Sequence, residues 1–130
     1  MKTKTIIFLF TVLLCLSCGK SETEIKGEIF VATKGGQSYK LGAVPVKIVT
    51  KLKTEGLNDK EVKFLSSDYS ATTEADGKFS VKVPSGEYVA LVEAQRDVVG
   101  KTEDYFWRVN ITAQGAETKV SLNNQNMSDN

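Results

Sequence analysis

Apolar and polar residues alternate along most of this chain, which is the pattern of β-strands that turn one face towards a hydrophobic core. The stretch "KFSVKV" displays it most clearly, because Phe79, Val81 and Val83 alternate with polar residues. Comparable alternation recurs, with turn residues between the segments, at 24–33, 43–52, 105–112 and 118–123, and 87–95 is a further strand segment. We therefore predict an all-β fold, a single seven-stranded β-sandwich of Greek-key type.

Two of these segments hold large apolar residues that we assign to the core. The segment 87–95 is apolar on both faces, as in a central strand that is covered twice. Trp107 has the same parity as Val109 and Ile111, so we predict that it packs in the core rather than binds a ligand.

Two features interrupt the alternation. Pro45 carries no amide hydrogen, so we expect its backbone to face a sheet edge or a bulge. Apolar residues are loosely spaced within 55–66, where Asn58 or Asp59 is suited to cap a helix. A short helix and an irregular crossover both fit this stretch.

Residues 1–18 have the composition of a secretion signal, in which Lys2 and Lys4 precede an apolar run that is short for a bilayer span. The end of the run, "LLCLSC", resembles a bacterial lipobox, whose last cysteine receives a diacylglycerol group before cleavage. This resemblance implies lipidation of Cys18, although Cys15 stands where the motif usually has an aliphatic residue. An ordinary secretion signal or an N-terminal membrane helix is the alternative.

The lipobox resemblance gives an expected location. A diacylated Cys18 would hold the protein at a membrane, and residues 19–23 are polar enough to form a flexible tether. We expect the protein to be anchored in the bacterial cell envelope, at the outer membrane. Whether it faces the periplasm or the cell surface is left open.

Charge and cysteine content exclude several classes of partner and bond. The full sequence has 17 basic and 16 acidic residues. Cleavage before Cys18 would remove Lys2 and Lys4, so the mature chain would be close to neutral. The charges are interspersed, which gives no footprint for nucleic acid. Cys15 would leave with the signal and Cys18 would be alkylated, so we expect no disulfide.

Three stretches carry a family resemblance: Gly27 in the first strand, "GAVPVKIV" at 42–49 and "TTEADGKFSVKVPSGEYVALVEA" at 72–94. Together they resemble the carboxypeptidase regulatory-like domains, whose transthyretin-like (prealbumin-like) sandwich is related to starch-binding modules. The resemblance implies one such domain over 24–123 and little about its activity. The polar composition of 124–130 predicts a disordered tail.

The turn "EADGK" places Glu74 and Asp76 beside Gly77, and a structural turn explains it better than a cation site. Asp caps such turns through nearby backbone, Gly permits a positive φ, and no acidic residues follow at the spacing of a calcium loop. Pro84 and Gly86 are assigned to the next structural turn. We expect no metal and no cofactor.

Side chains suited to catalysis are scarce. The chain has no histidine, its mature form would have no free thiol, and its serines lie in no nucleophile motif. A glycosidase with two carboxylates is the remote alternative, with Glu22/Glu24, Glu74/Asp76 or Glu103/Asp104 as pairs. Neighbours in one loop rarely oppose each other across a sugar, so we predict that the protein is not an enzyme.

Four aromatic residues are candidates for ligand binding, provided that their rings are exposed: Tyr39, Tyr69, Tyr105 and Phe106. We therefore predict a non-catalytic, lipid-anchored binding module whose partner is a glycan or an envelope protein. The alternative is a structural or assembly subunit of an envelope complex that uses an open sheet edge.

Overall fold

The computed structural model describes residues 21–33 and 35–128, so Cys18 and the predicted signal lie outside the described residues. In chain order the elements are β1 (Glu22–Ala32), β2 (Ser38–Lys40), β3 (Pro45–Thr50), α1 (Lys51–Thr54), α2 (Asp59–Val62), β4 (Tyr69–Thr72), β5 (Lys78–Pro84), β6 (Gly86–Val98), β7 (Lys101–Ala113) and β8 (Glu117–Leu122). No helix in these two ranges is long and apolar enough to cross a membrane.

The strands form two four-stranded sheets. In sheet one, β1 is central: β5 and β2 pair with it antiparallel, and β8 runs parallel to it. Sheet two has the order β4-β3-β6-β7, and all of its pairs are antiparallel. The predicted all-β sandwich is confirmed, with eight strands in the described residues rather than seven, because the chain doubles back after Gly36 to form β2.

The main core lies between the two sheets. Phe79 and Val83 are buried there as predicted, and Val81 packs against them with part of its side chain exposed. Trp107 is fully buried, which confirms its assignment to the core, and its indole Nε1 donates to the carbonyl oxygen of Asn123 at 2.9 Å. The alternation along each strand therefore supplies the apolar surface that joins the sheets.

A second apolar cluster covers the outer face of sheet two. The crossover from β3 to β4 carries α1 and α2, and it places Val62 against residues of β3, β6 and β7: Val49, Val89, Leu91 and Phe106. The middle of β6 is consequently buried on both faces, as predicted for the segment 87–95.

The helical interpretation of 55–66 is correct for its centre. Asn58 caps α2, since its side chain accepts a hydrogen bond from the Glu61 amide at 2.8 Å and Glu61 reaches back towards the Asn58 amide. Such a reciprocal cap satisfies amides that the first helical turn leaves without partners. The crossover also contains α1, which the sequence pattern does not predict.

Two expected boundaries differ from the structure. β1 begins at Glu22, so part of the predicted tether 19–23 is a strand paired with β5. The predicted disordered tail is ordered over 124–128, where Asn124 hydrogen-bonds to both backbone groups of Ala32 and Met127 forms a β-bridge with Trp107. The physical reason is that polar side chains and backbone of this segment satisfy groups at the edges of the sheets.

Candidate binding site

A connected set of polar and aromatic side chains lies at one end of the sandwich. This end forms because β6 and β7 continue as a two-stranded ribbon beyond Leu91, the last β6 residue that β3 pairs with. β2 adds to the far end of β1 at the same end of the molecule. We call the set the rim cluster, and it consists of Gln37, Tyr39, Arg96, Glu103 and Tyr105.

Arg96 and Tyr39 form the exposed part of the rim cluster. The guanidinium carbon of Arg96 lies 3.6 Å from the centroid of the Tyr39 ring, a cation–π distance. The Tyr39 hydroxyl donates to Gln37 Oε1 at 2.7 Å. These two contacts fix the orientation of a ring that is 37% exposed.

Tyr105 forms the inner part of the rim cluster. Its ring is buried beside Trp107, with centroids 6.0 Å apart, and its hydroxyl donates to the Glu103 carboxylate. Burial raises the pKa of Tyr105, the hydrogen bond to Glu103 raises it further, and the interaction with Arg96 opposes the rise. Arg96 therefore interacts with both the exposed ring of Tyr39 and the hydroxyl of Tyr105.

The four predicted binding aromatics do not form one surface. Tyr39 is exposed, whereas Tyr69 is half-buried with its ring edge-on to Tyr88 at 6.0 Å. The expected exposure of Tyr105 and Phe106 is wrong, since 9% and 2% of these residues are accessible. Tyr105 faces the main core, and Phe106 faces the cluster under the crossover, because neighbouring residues of β7 point to opposite faces.

Arg96 and Gln37 are site residues that sequence reasoning missed. Gln37 follows the double glycine turn, and Arg96 lies in a strand more than fifty residues later, so no local motif connects them. The available signal was the parity of β6, which places Arg96 on the face of Ala94 and hence beside Tyr105.

A second concave region, the edge cleft, lies beside the ribbon on the β3 side. It has a volume of about 800 Å³, and three segments and one side chain line it: 42–45, 93–95, 104–106 and Lys63. Lys63 Nζ lies 4.6 Å from the Phe106 ring centroid and 3.9 Å from the Glu93 carboxylate. The cleft therefore contains a cation held over an aromatic ring and backbone from β6.

A third region is an open groove of about 740 Å³ that extends from sheet one to β4 of sheet two. Charged and hydroxyl residues of β1, β5 and β8 line it, together with residues of β4. Its one aromatic residue, Phe79, is 5% exposed and packs in the main core. The groove therefore offers hydrogen bonds but no ring surface for stacking.

The turn residues have structural roles. Asp76 Oδ1 accepts a hydrogen bond from the Lys78 amide at 3.1 Å, and Gly77 has a φ of 77°. The carbonyl of Pro84 accepts the Tyr88 hydroxyl at 2.6 Å, which closes the corner before β6. Gly86 lies against the same tyrosine ring.

Acidic residues in the described ranges do not converge on one point. No group of three or more His, Cys, Asp or Glu side chains there could hold a metal ion. Glu103 and Asp104 are adjacent on β7, so their carboxylates point to opposite faces of sheet two. This arrangement cannot bring both of them to one glycosidic bond.

The fold and the rim cluster together define a class: an all-β sandwich that presents an oriented tyrosine–arginine pair at one end. No family model matches the chain, and no curated protein matches it significantly. The structure is similar to that of a Pseudomonas aeruginosa protein whose description provisionally assigns carbohydrate binding, with a TM-score of 0.56, 20% identity, and coverage of 80% of this chain and 89% of that one. This likeness establishes the sandwich fold.

A protein of the DUF3823 family from Parabacteroides merdae is also similar in structure, with a TM-score of 0.45 and 19% identity. The match covers 78% of this chain and spans 45% of the length of that one.

Proposed function

We propose that this protein is a lipid-anchored, non-catalytic glycan-binding module of the bacterial envelope, and that the rim cluster holds the glycan. The observation that carries the proposal is the pair formed by Tyr39 and Arg96, with the ring exposed and the guanidinium 3.6 Å from its centroid. An oriented aromatic ring beside groups that donate and accept hydrogen bonds matches the needs of a sugar, which has apolar C–H faces and hydroxyl edges.

The surrounding side chains complement that pair. Gln37 supplies an amide next to Tyr39 and Glu103 a carboxylate next to Tyr105, so the rim cluster contains both donors and acceptors of hydrogen bonds. The provisional carbohydrate-binding description of the Pseudomonas aeruginosa protein with a similar fold is in keeping with this proposal. The absence of histidine from the sequence favours binding over catalysis.

The position of the rim cluster also suits an anchored protein. β1 runs from Glu22, next to the predicted tether, to Ala32, next to β2. At about 3.3 Å per residue, the two ends of this strand are about 30 Å apart. A membrane anchor on Cys18 would therefore leave the rim cluster at the end of the domain that points away from the lipid.

Glycan binding is tested with the purified full chain in detergent micelles on an array of bacterial and host glycans. We expect Tyr39→Ala and Arg96→Gln each to weaken binding of the glycans that the unmodified protein retains, because each removes one partner of the stacked pair. The expected increase in Kd is about tenfold or more, and a tenfold increase corresponds to about 1.4 kcal/mol of binding free energy. Phe64→Ala is the matched control, because Phe64 is an exposed ring on the crossover. Equal binding by all three variants would contradict the proposed site.

Anchoring is tested by mass spectrometry of the protein isolated from its membrane. We expect a diacylglyceryl group on Cys18 in the membrane-bound protein, and we expect Cys18→Ala to lack this group and to keep the apolar run that precedes residue 18, because the lipobox cysteine is required for both modification and cleavage. An unmodified thiol at Cys18 in the membrane-bound protein would refute this part of the proposal.

A further inference from the structure

β6 is only partly covered along the edge that faces β3. β6 has 13 residues and β7 pairs with all of them, whereas β3 pairs with Tyr88–Leu91 alone. In the part of the chain that the structure describes, no other strand pairs with Val92–Val98 on this side. The ribbon therefore has an open edge next to the edge cleft.

The chemistry of β3 explains why the pairing stops. Extending the observed register from Lys47↔Leu91 by two residues sets Pro45 opposite Glu93, and proline has no amide hydrogen for the ladder. Two residues before Pro45 in the chain, Ala43 has a φ of 57°, and its amide donates a hydrogen bond to the carbonyl of Thr73. The chain has thus turned away from β6, and Pro45 faces an open edge as its sequence predicts.

The hairpin turn between β6 and β7 determines which backbone groups face outwards. Val99 and Gly100 both have positive φ, 42° and 77°, and they form a two-residue loop of type I′. The flanking pair Val98↔Lys101 is then hydrogen-bonded, and bonded residues alternate along the strand. Three residues therefore point their N–H and C=O groups away from β7: Glu93, Gln95 and Asp97.

Contacts at the other side of β3 agree with this parity. The Ile48 carbonyl accepts the Asp68 amide, and the Thr50 amide donates to the Asp68 carboxylate, so both residues face β4. Lys47 must then face β6, where its partner is Leu91. Leu91 has the same parity as Glu93, Gln95 and Asp97.

The side chains around the open edge are mainly acidic. Glu93 and Asp97 project from the outer face of β6, and Asp104 projects from the same face of β7. Lys63 is the cation that lines the edge cleft, and it pairs with Glu93 at 3.9 Å. The segment 42–45 forms the opposite wall, which leaves about 800 Å³ beside the strand.

We infer that an extended segment of a partner protein, with Lys or Arg at alternate positions, adds to sheet two as a strand along Glu93–Asp97. Backbone hydrogen bonds to the open edge supply affinity, and alternate side chains facing Glu93 and Asp97 supply specificity. A second copy of this chain fits less well, because pairing two such edges would bring like charges together. This site is distinct from the proposed glycan site and does not depend on it.

The inference is tested by selecting peptides from a displayed library of random twelve-residue sequences on the immobilised full chain. We expect enrichment of peptides with Lys or Arg two residues apart and few prolines. When an enriched peptide is added, hydrogen exchange at the Glu93, Gln95 and Asp97 amides should slow, while the Ala94 and Arg96 amides should already be protected in the free protein.

Three variants separate edge pairing from other modes of binding. Gln95→Pro removes an outward amide without removing a bond to β7, and we expect it to weaken peptide binding at least tenfold. Gln95→Ala is its control and should bind normally, because it keeps the amide. The double change Glu93→Lys with Asp97→Lys leaves the backbone intact and should also weaken binding of basic peptides at least tenfold.

Several outcomes would overturn the inference. These are no enriched peptide, enrichment without basic residues, binding that Gln95→Pro and the double charge reversal both leave unchanged, or protection of the edge amides by concentration-dependent dimerisation. Loss of binding in Tyr39→Ala would also count against it, since that variant leaves the β6 edge intact. Unchanged tryptophan emission in Gln95→Pro verifies that the sandwich is folded.

Discussion

At the scale of single residues, the closest fit in the core joins a glycine to an aromatic ring. Gly27 on β1 is paired with Phe79 on β5, and the phenyl ring lies over the glycine. A Cβ atom at position 27 would overlap ring atoms Cζ and Cε1 and would lie 3.0 Å from Cε2. The absence of a side chain at Gly27 is therefore what permits a large ring on the neighbouring strand.

Gly27→Ala should destabilise the protein by about 1–3 kcal/mol, the usual cost of inserting a methyl group into a packed site. The free energy of unfolding is measured by urea titration with tryptophan fluorescence. In a Phe79→Leu background the same change should cost less, because the smaller side chain leaves room for the methyl group.

Gly86→Ala provides the control for a general effect of replacing glycine in a strand. A Cβ there would make ordinary contacts of 3.7 Å or more with the Tyr88 ring, so we expect a stability change of about 0.5 kcal/mol or less. If Gly27→Ala costs the same with Phe79 as with leucine at that position, the proposed overlap is not the cause.

At the scale of elements, the alternation of apolar and polar residues predicted which side chains of a strand face the core. The period of two placed Phe79, Val83 and Trp107 in the core because side-chain direction in a strand follows from sequence spacing alone. The same rule placed Tyr105 and Phe106 on opposite faces, but it could not reveal that the crossover buries Phe106. Covering of an outer face depends on an element distant in the chain.

The crossover illustrates that limit at one residue. Arg108 on β7 donates to the carbonyls of Thr54 and Leu57 at 3.0 and 2.8 Å, and it contacts the Asp59 carboxylate at 3.1 Å. It thereby ties both short helices to sheet two across about fifty residues of sequence. Neither its charge nor its strand position indicates these partners, because hydrogen bonds from an arginine to distant backbone carbonyls produce no periodic pattern in the sequence.

The candidate site was partly predictable for the same reason. Tyr39 could be selected as a binding aromatic from its residue type and its place in a polar loop. Arg96, which orients that ring, depends on β2 and the β6–β7 ribbon meeting at one end of the sandwich. Their contact depends on how strands that are distant in the sequence pair, and the sequence of a single strand does not indicate this pairing.

At the scale of the whole molecule, the two ends of the sandwich differ in role. The end near Glu22 is closed by pairing of β1 with β5 and by the hydrogen bond from the Ser85 amide to the Ser21 carbonyl. The opposite end carries both the rim cluster and the open β6 edge. If Cys18 anchors the first end, both proposed interaction sites lie on the end that is directed away from the membrane.

The polar C-terminal segment joins the two sheets, which leads to the last prediction. Asn123 accepts the Trp107 indole, Asn124 bonds to Ala32 of sheet one, and the Ser128 amide donates to the Phe106 carbonyl of sheet two at 2.8 Å. Ending the chain at 122 should therefore destabilise the sandwich by about 2–4 kcal/mol, because it leaves a buried indole N–H without its acceptor and removes several further bonds.

The measurement is urea unfolding followed by the emission of Trp107, the single tryptophan of the chain. Asn124→Ala should give part of the loss, about 1 kcal/mol, since it removes two hydrogen bonds at an exposed edge. Gln125→Ala is the matched control, because the Gln125 side chain is exposed and its backbone amide, which bonds to Asn123, is retained. A truncated chain with an unchanged midpoint and unshifted emission would mean that the segment is the loose tail its composition predicts.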